Sequence, residues 1–90
     1  MGKVILKGEL AIRADAKEIE VETKGRRVVD ILKDIADRYN LWDFIFKNKT
    51  KVRPYLLIMI DGRDYLSLGK LNEVLEDEKE IKIIPTFHGG

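Results

Sequence analysis

The stretch RRVVDILKDIADRYN, residues 26–40, decides the architecture. Val28, Ile31, Leu32, Ile35, Ala36 and Tyr39 recur at i, i+3, i+4, i+7, i+8 and i+11, one apolar stripe of an amphipathic helix. Asp30, Lys33, Asp34, Asp37 and Arg38 occupy the opposite side. Such a stripe must bury itself against something, and no second helical pattern of that length exists in the 90 residues. The partner is therefore a sheet, and the expected class is α+β in two layers. No Ser, Thr, Asp or Asn stands at the N-cap position, so Thr23 or Gly25 is expected to serve from a distance. Asn40 marks the stop.

Strands are expected on both flanks. KVILKGELAIR, residues 3–13, alternates, with Val4, Leu6, Leu10 and Ile12 on one face and Gly8 in the same row. After the break ADA at 14–16, KEIEVET resumes the alternation with Ile19 and Val21 inward, so the two runs read as a hairpin. Beyond the helix, Leu41, Trp42, Ile45 and Phe44 suggest a short helical turn, followed by a basic loop through KNKTKVR at 47–53. YLLIMID, residues 55–61, is apolar on both faces, as in a strand covered on each side. Asp61-Gly62 is a hairpin turn, because both central positions of a type I′ turn need positive φ. A short strand around Tyr65 and a compact segment with Leu68, Leu71 and Leu75 follow. EDEKE interrupts the pattern, and EIKIIP, residues 80–85, forms the last strand with Ile81 and Ile83 inward.

Composition narrows the function. Seventeen Lys and Arg against sixteen Asp and Glu leave a net charge of +1, so no large field points to nucleic acid or an anionic membrane. There is no cysteine, which excludes disulfides, thiolate metal sites and a cysteine nucleophile. The one histidine, His88, cannot build a metal site alone. The longest apolar run is far short of the roughly 20 residues that span a bilayer. No secretory pattern precedes the first strand, and Leu6 stands where a myristoylation signal has Ser or Thr, so a cytoplasmic location is expected.

Among candidate sites, KNKTKVR with Lys24, Arg26, Arg27 and the rings of Trp42, Phe44 and Phe46 has the ingredients of single-strand binding. A solvated loop beside core aromatics explains the same residues, and the near-zero net charge favours it; no direct nucleic-acid binding is expected. The carboxylates Asp61, Asp64, Glu73, Glu76, Asp77 and Glu78 fall in turns and on solvent faces without a nucleophile, and His88 sits too near the end for a fixed catalytic geometry. The chain is not expected to be an enzyme. If Leu56, Ile58 and Ile60 face the helix, Leu57 and Met59 point from the other face of the sheet. Either the segment carrying Trp42 covers them, or they form an apolar patch of the kind that marks a partner.

The last residues are IIPTFHGG. With glycine at roughly 7% of residues, a closing pair arises by chance about 0.5% of the time. A glycine pair at a free end turns nothing; lacking Cβ, it threads a narrow channel and leaves the Gly90 carboxylate unhindered.

The helix start VVDIL, the strand with Asp61-Gly62, the Leu71/Leu75 turn and a terminal strand running into Gly89-Gly90 together resemble the ubiquitin-like sulfur-carrier proteins, the MoaD and ThiS families. The likeness is greater to the ubiquitin-related modifiers and small archaeal modifier proteins. KVRPYLLIMIDGRDY is similar to their VRP-strand-turn segment, and PTFHGG to their terminal S-T-L-H-G-G, with Pro85 in place of Ser as in MoaD-like tails. The resemblance covers essentially the whole chain. It implies a β-grasp fold, a mixed sheet of four or five strands with the helix on one face, over residues 1–86, and a flexible tail over 87–90. It implies no bound cofactor or metal, and an acyl-adenylate and then a thiocarboxylate at Gly90, formed with ATP by an adenylating, ubiquitin-activating-like enzyme. Further implied partners are a molybdopterin synthase large subunit or a tRNA thiolase, with sulfur going to a pterin or to tRNA. Partner contact is expected through Leu57, Met59, Phe87 and His88. Conjugation to lysines through Gly90 is the alternative, and a plain interaction or RNA-binding domain the third reading.

Overall fold

In chain order the elements are β1 (Gly2–Leu6), α1 (Gly8–Ala14), β2 (Glu18–Val21), α2 (Val28–Tyr39), α3 (Trp42–Ile45), β3 (Phe46–Asn48), β4 (Lys51–Val52), β5 (Leu56–Ile60), β6 (Arg63–Asp64) and β7 (Glu80–Pro85). The computed structural model describes residues 1–49, 51–64 and 71–86. The strand expected around Tyr65, and Leu68, lie outside the described residues. Five strands form one mixed sheet in the order β2-β1-β7-β5-β6, and β3 and β4 form a separate ribbon. β1 runs parallel to the central β7, and the other pairings are antiparallel. With α2 across one face, this is the β-grasp arrangement.

The stripe of α2 lies where its spacing predicts. Val28, Ile31, Leu32, Ile35 and Ala36 are buried against Val4, Leu6, Ile58, Ile60, Ile81 and Ile83 from the sheet. Asn40 ends the helix in the left-handed region, φ 56°. The β5–β6 turn has φ 48° at Asp61 and 85° at Gly62, which suits Gly at the second position and a short polar side chain at the first.

Three expectations fail: residues 3–13 are not one strand, neither Thr23 nor Gly25 caps α2, and the basic stretch at 47–53 is not a plain loop. That stretch contributes to the β3–β4 ribbon, where Phe46 pairs with Val52 and Asn48 with Lys51. In residues 3–13 the chain leaves the sheet after Leu6, turns through Gly8 at φ 54°, and coils into α1. Leu6 and Leu10 are four apart, a spacing that both periods satisfy. Ile12 decides between them. It is 75% exposed, whereas Leu10 is buried, so the period is helical. The segment GELAIRA is rich in helix formers, and Glu9 and Arg13 pair across one turn at 3.3 Å. Asp15, in the left-handed region, closes the helix with its N–H on the Ala11 and Ile12 carbonyls.

The start of α2 is capped from elsewhere in the chain rather than by Thr23 or Gly25. No side chain caps it; instead Val28 N–H donates to the Glu73 carbonyl at 3.2 Å and Val29 N–H to that of Leu71 at 2.8 Å. Thr23 is wholly buried and serves another junction. Its N–H donates to Glu78 Oε1 at 2.8 Å, its hydroxyl donates to the same oxygen at 3.1 Å, and its Oγ1 accepts from Lys79 N–H at 2.7 Å. Glu78 also accepts from Gly2 N–H at 2.6 Å and Lys24 N–H at 3.2 Å. These donors, with the Thr23 N–H foremost, hold its carboxyl down at about 2.

Candidate functional site

β7 delivers the chain toward its last residues, so the site is built where that strand leaves the sheet. Its final rung pairs Pro85 with Leu56. Pro85 has no N–H to donate, but at this register its slot faces β1 rather than β5. The Leu56 N–H, pointing away from β7, donates to the Arg53 carbonyl at 3.1 Å. Thr86 makes the next rung toward the β5 side. Its N–H donates to the Tyr55 carbonyl at 2.8 Å, and its hydroxyl donates to the same oxygen. Phe87, His88, Gly89 and Gly90 lie outside the described residues.

The two faces of the sheet differ at this end. On the α2 side, Glu9, Leu10, Phe44, Tyr55 and Pro85 line a groove of about 490 Å³. Tyr55 donates its hydroxyl to the Phe44 carbonyl at 3.1 Å, and the Arg13 guanidinium lies 4.5 Å from the Phe44 ring centre. On the other face, the alternation of β5 turns Leu57 and Met59 away from the core, and both are half-buried. Leu57 stands opposite Ile84 on β7, and Met59 opposite Lys82. Ile5, opposite Lys82 on β1, extends the row. Toward β2 the same face becomes charged, with Lys3 to Glu18 at 3.2 Å and Lys82 to Glu80 at 3.8 Å.

Trp42 does not cover this row. α3 packs beside α2, on the far side of the sheet. Trp42 donates its indole N–H to the Asp37 carboxylate and sets its ring 4.6 Å from that of Phe46. Of the residues singled out from sequence, Leu57 and Met59 thus share the face of the sheet turned away from α2. Ile5 and Ile84 join them, and strand parity would have found Ile84, next to the inward Ile83. The groove had no signal in the sequence, because α1 carries a strand-like alternation. Among the described residues no cluster of His, Cys, Asp or Glu could hold a metal, and no helix is long and apolar enough to cross a membrane.

The chain is similar to known proteins in sequence and in fold. The profile of the family Urm1 (Ubiquitin related modifier) matches residues 6–90. Ubiquitin-related modifier 1 of Mus musculus is 39% identical over 46 residues, 51% of this chain and 46% of that protein. The chain thus matches about half the length of that curated relative. The solution structure of small archaeal modifier protein 1 from Methanosarcina acetivorans superposes with a TM-score of 0.81 at 28% identity, covering 98% of this chain and 94% of that one. The crystal structure of Sulfolobus solfataricus Urm1 gives 0.70 at 29% identity, covering 92% and 97%.

Proposed function

We propose, from the premise that this chain belongs to the ubiquitin-related modifier (Urm1) family, that it is a sulfur carrier whose working group is the Gly90 carboxylate. The observation that carries the reading is the reach of the family match through Gly90, on a fold whose central strand runs beside a half-buried apolar row. In the first step a carboxylate oxygen of Gly90 attacks the α-phosphorus of ATP, and pyrophosphate leaves. Hydrosulfide, released from a partner's persulfide as a thiol supplies two electrons, then attacks the acyl carbon. AMP departs with the C–O bonding electrons and a thiocarboxylate remains. With no cysteine, the chain's only other sulfurs are the thioethers of Met1 and Met59, which cannot carry transferable sulfur.

Catalysis in this scheme belongs to the partners. An adenylating enzyme of the ubiquitin-activating kind docks on Leu57 and Met59 and receives Phe87 and His88 as the tail enters its site. A molybdopterin synthase large subunit or a tRNA thiolase then takes the sulfur. The names of the relatives favour a second reading, a modifier joined to lysines through Gly90. Intact mass of the protein isolated from its native host tests both. A gain of about 16 Da is the thiocarboxylate, one oxygen exchanged for sulfur as the acyl chemistry requires. Ladders on larger proteins are conjugates. Unmodified protein with no ladders would leave only a plain interaction or RNA-binding domain.

A further inference from the structure

We propose that Thr86 is a positioning residue: its hydroxyl and N–H, gathered on the Tyr55 carbonyl and braced by α3, fix where the last four residues leave the sheet. This role rests on the Gly90 reading above. The donors of β7 that face β5 come from alternate residues, so past Ile84 the next is Thr86, which among the described residues alone holds the exit on that side. Without it the last rung that β7 makes to β5 is that of Ile84, and six residues rather than four follow the last anchor.

The acceptor is itself held. Arg53 N–H donates to the Ile45 carbonyl at 2.8 Å, and the Arg53 side chain donates to the Asp43 carbonyl at 3.0 Å. The Tyr55 hydroxyl reaches the Phe44 carbonyl, so three successive carbonyls of α3 fix the segment that receives Thr86. α3 is in turn packed on α2. A carbonyl tied to the core in this way is a fixed point, whereas one on a loose loop would move with the tail. Four residues span at most about 14 Å, so a small rotation at Thr86 displaces the carboxylate by several ångströms. Reaction at the α-phosphorus tolerates misplacement of about 1 Å poorly.

The test uses full-length Thr86→Val, which keeps shape and N–H but loses the hydroxyl, and Thr86→Ser, which keeps it. ATP–pyrophosphate exchange by the cognate adenylating enzyme is measured with each, together with the backbone ¹⁵N order parameter at Thr86. For the Val variant kcat is expected to fall about two- to tenfold, the equivalent of one hydrogen bond, with KM nearly unchanged because docking lies elsewhere. Its order parameter falls as well, and Ser restores both. Thr86 is exposed, so the urea midpoint stays put. Val and Ser variants that both match wild type in kcat would overturn the positioning role while leaving the Gly90 reading intact. No exchange with wild type would overturn that reading and this role with it.

Discussion

At its first residues β7 is fastened by side chains. Glu78, just before it, gathers the N–H groups of Gly2, Thr23 and Lys24, and Thr23 accepts from Lys79. Asp61 accepts from Glu80 N–H at 3.0 Å, which pins the β5–β6 turn to the same place. At its last residue β7 meets a proline, and beyond it one carbonyl takes both donors of Thr86. The difference assigns separate duties to the two ends. Long-range side-chain bonds are concentrated at the first end, and under the proposed positioning role the exit is held just enough to aim the last four residues. Changes at the exit should therefore alter activity with little effect on stability, and changes at the fastened end the reverse.

The largest expected effect is at the exit. Deleting Gly90, or adding a residue beyond it, should abolish ATP–pyrophosphate exchange, since an ångström of misplacement already costs about a hundredfold in rate. The denaturation midpoint should not move. Equal exchange for wild type and the deletion would remove the terminal glycines from the mechanism. Next, Leu57→Glu should weaken binding to the adenylating enzyme by about ten- to a hundredfold, the worth of burying one leucine, with the fold intact. Calorimetric titration against that enzyme measures it, and unchanged affinity would move the docking surface off this face.

The reverse pattern is expected at the fastened end. A Cβ on Gly2 would lie 2.4 Å from the Lys79 carbonyl and 2.5 Å from Thr23 Oγ1, so Gly2→Ala forces neighbouring backbone apart. It should destabilise by about 1–3 kcal/mol, as overpacking does, yet leave exchange untouched below the melting range. A variant that loses exchange while keeping its midpoint would break the division of labour. The smallest effect is in acid. The Glu78 carboxyl titrates at about 2 in the fold against an ordinary value of 4.5, so the unfolded chain takes up the proton first. Its contribution is complete above that ordinary value and disappears as pH falls toward 2. Urea midpoints of Glu78→Gln should be lower at neutral pH and decline less steeply with acidification than those of wild type. Parallel curves would show that another group governs the acid limb.

Where a signal is local and repeated, the sequence was legible. The α2 stripe runs through three turns, β5 is unbroken apolar chain, and Asp61-Gly62 names its own turn chemistry. The outward pair Leu57 and Met59 followed from parity alone. Residues 8–14 misled because Leu6 and Leu10 fit both periods, and only the exposure of Ile12 separates them. Glu78 was hidden in EDEKE, where five charged residues look alike as a solvated break.

The sequence by itself determined the two-layer class, the face of α2 that is buried, the face of β5 turned away from the core, and membership of the ubiquitin-related modifier family. Tertiary structure decided which glutamate fastens β7, what caps α2, and what holds the exit. The reason is physical. Burial leaves a periodic imprint on side-chain identity, but the Glu73, Leu71 and Tyr55 carbonyls that accept the critical N–H groups belong to the backbone. Every residue carries the same carbonyl, so only folding determines which ones are used.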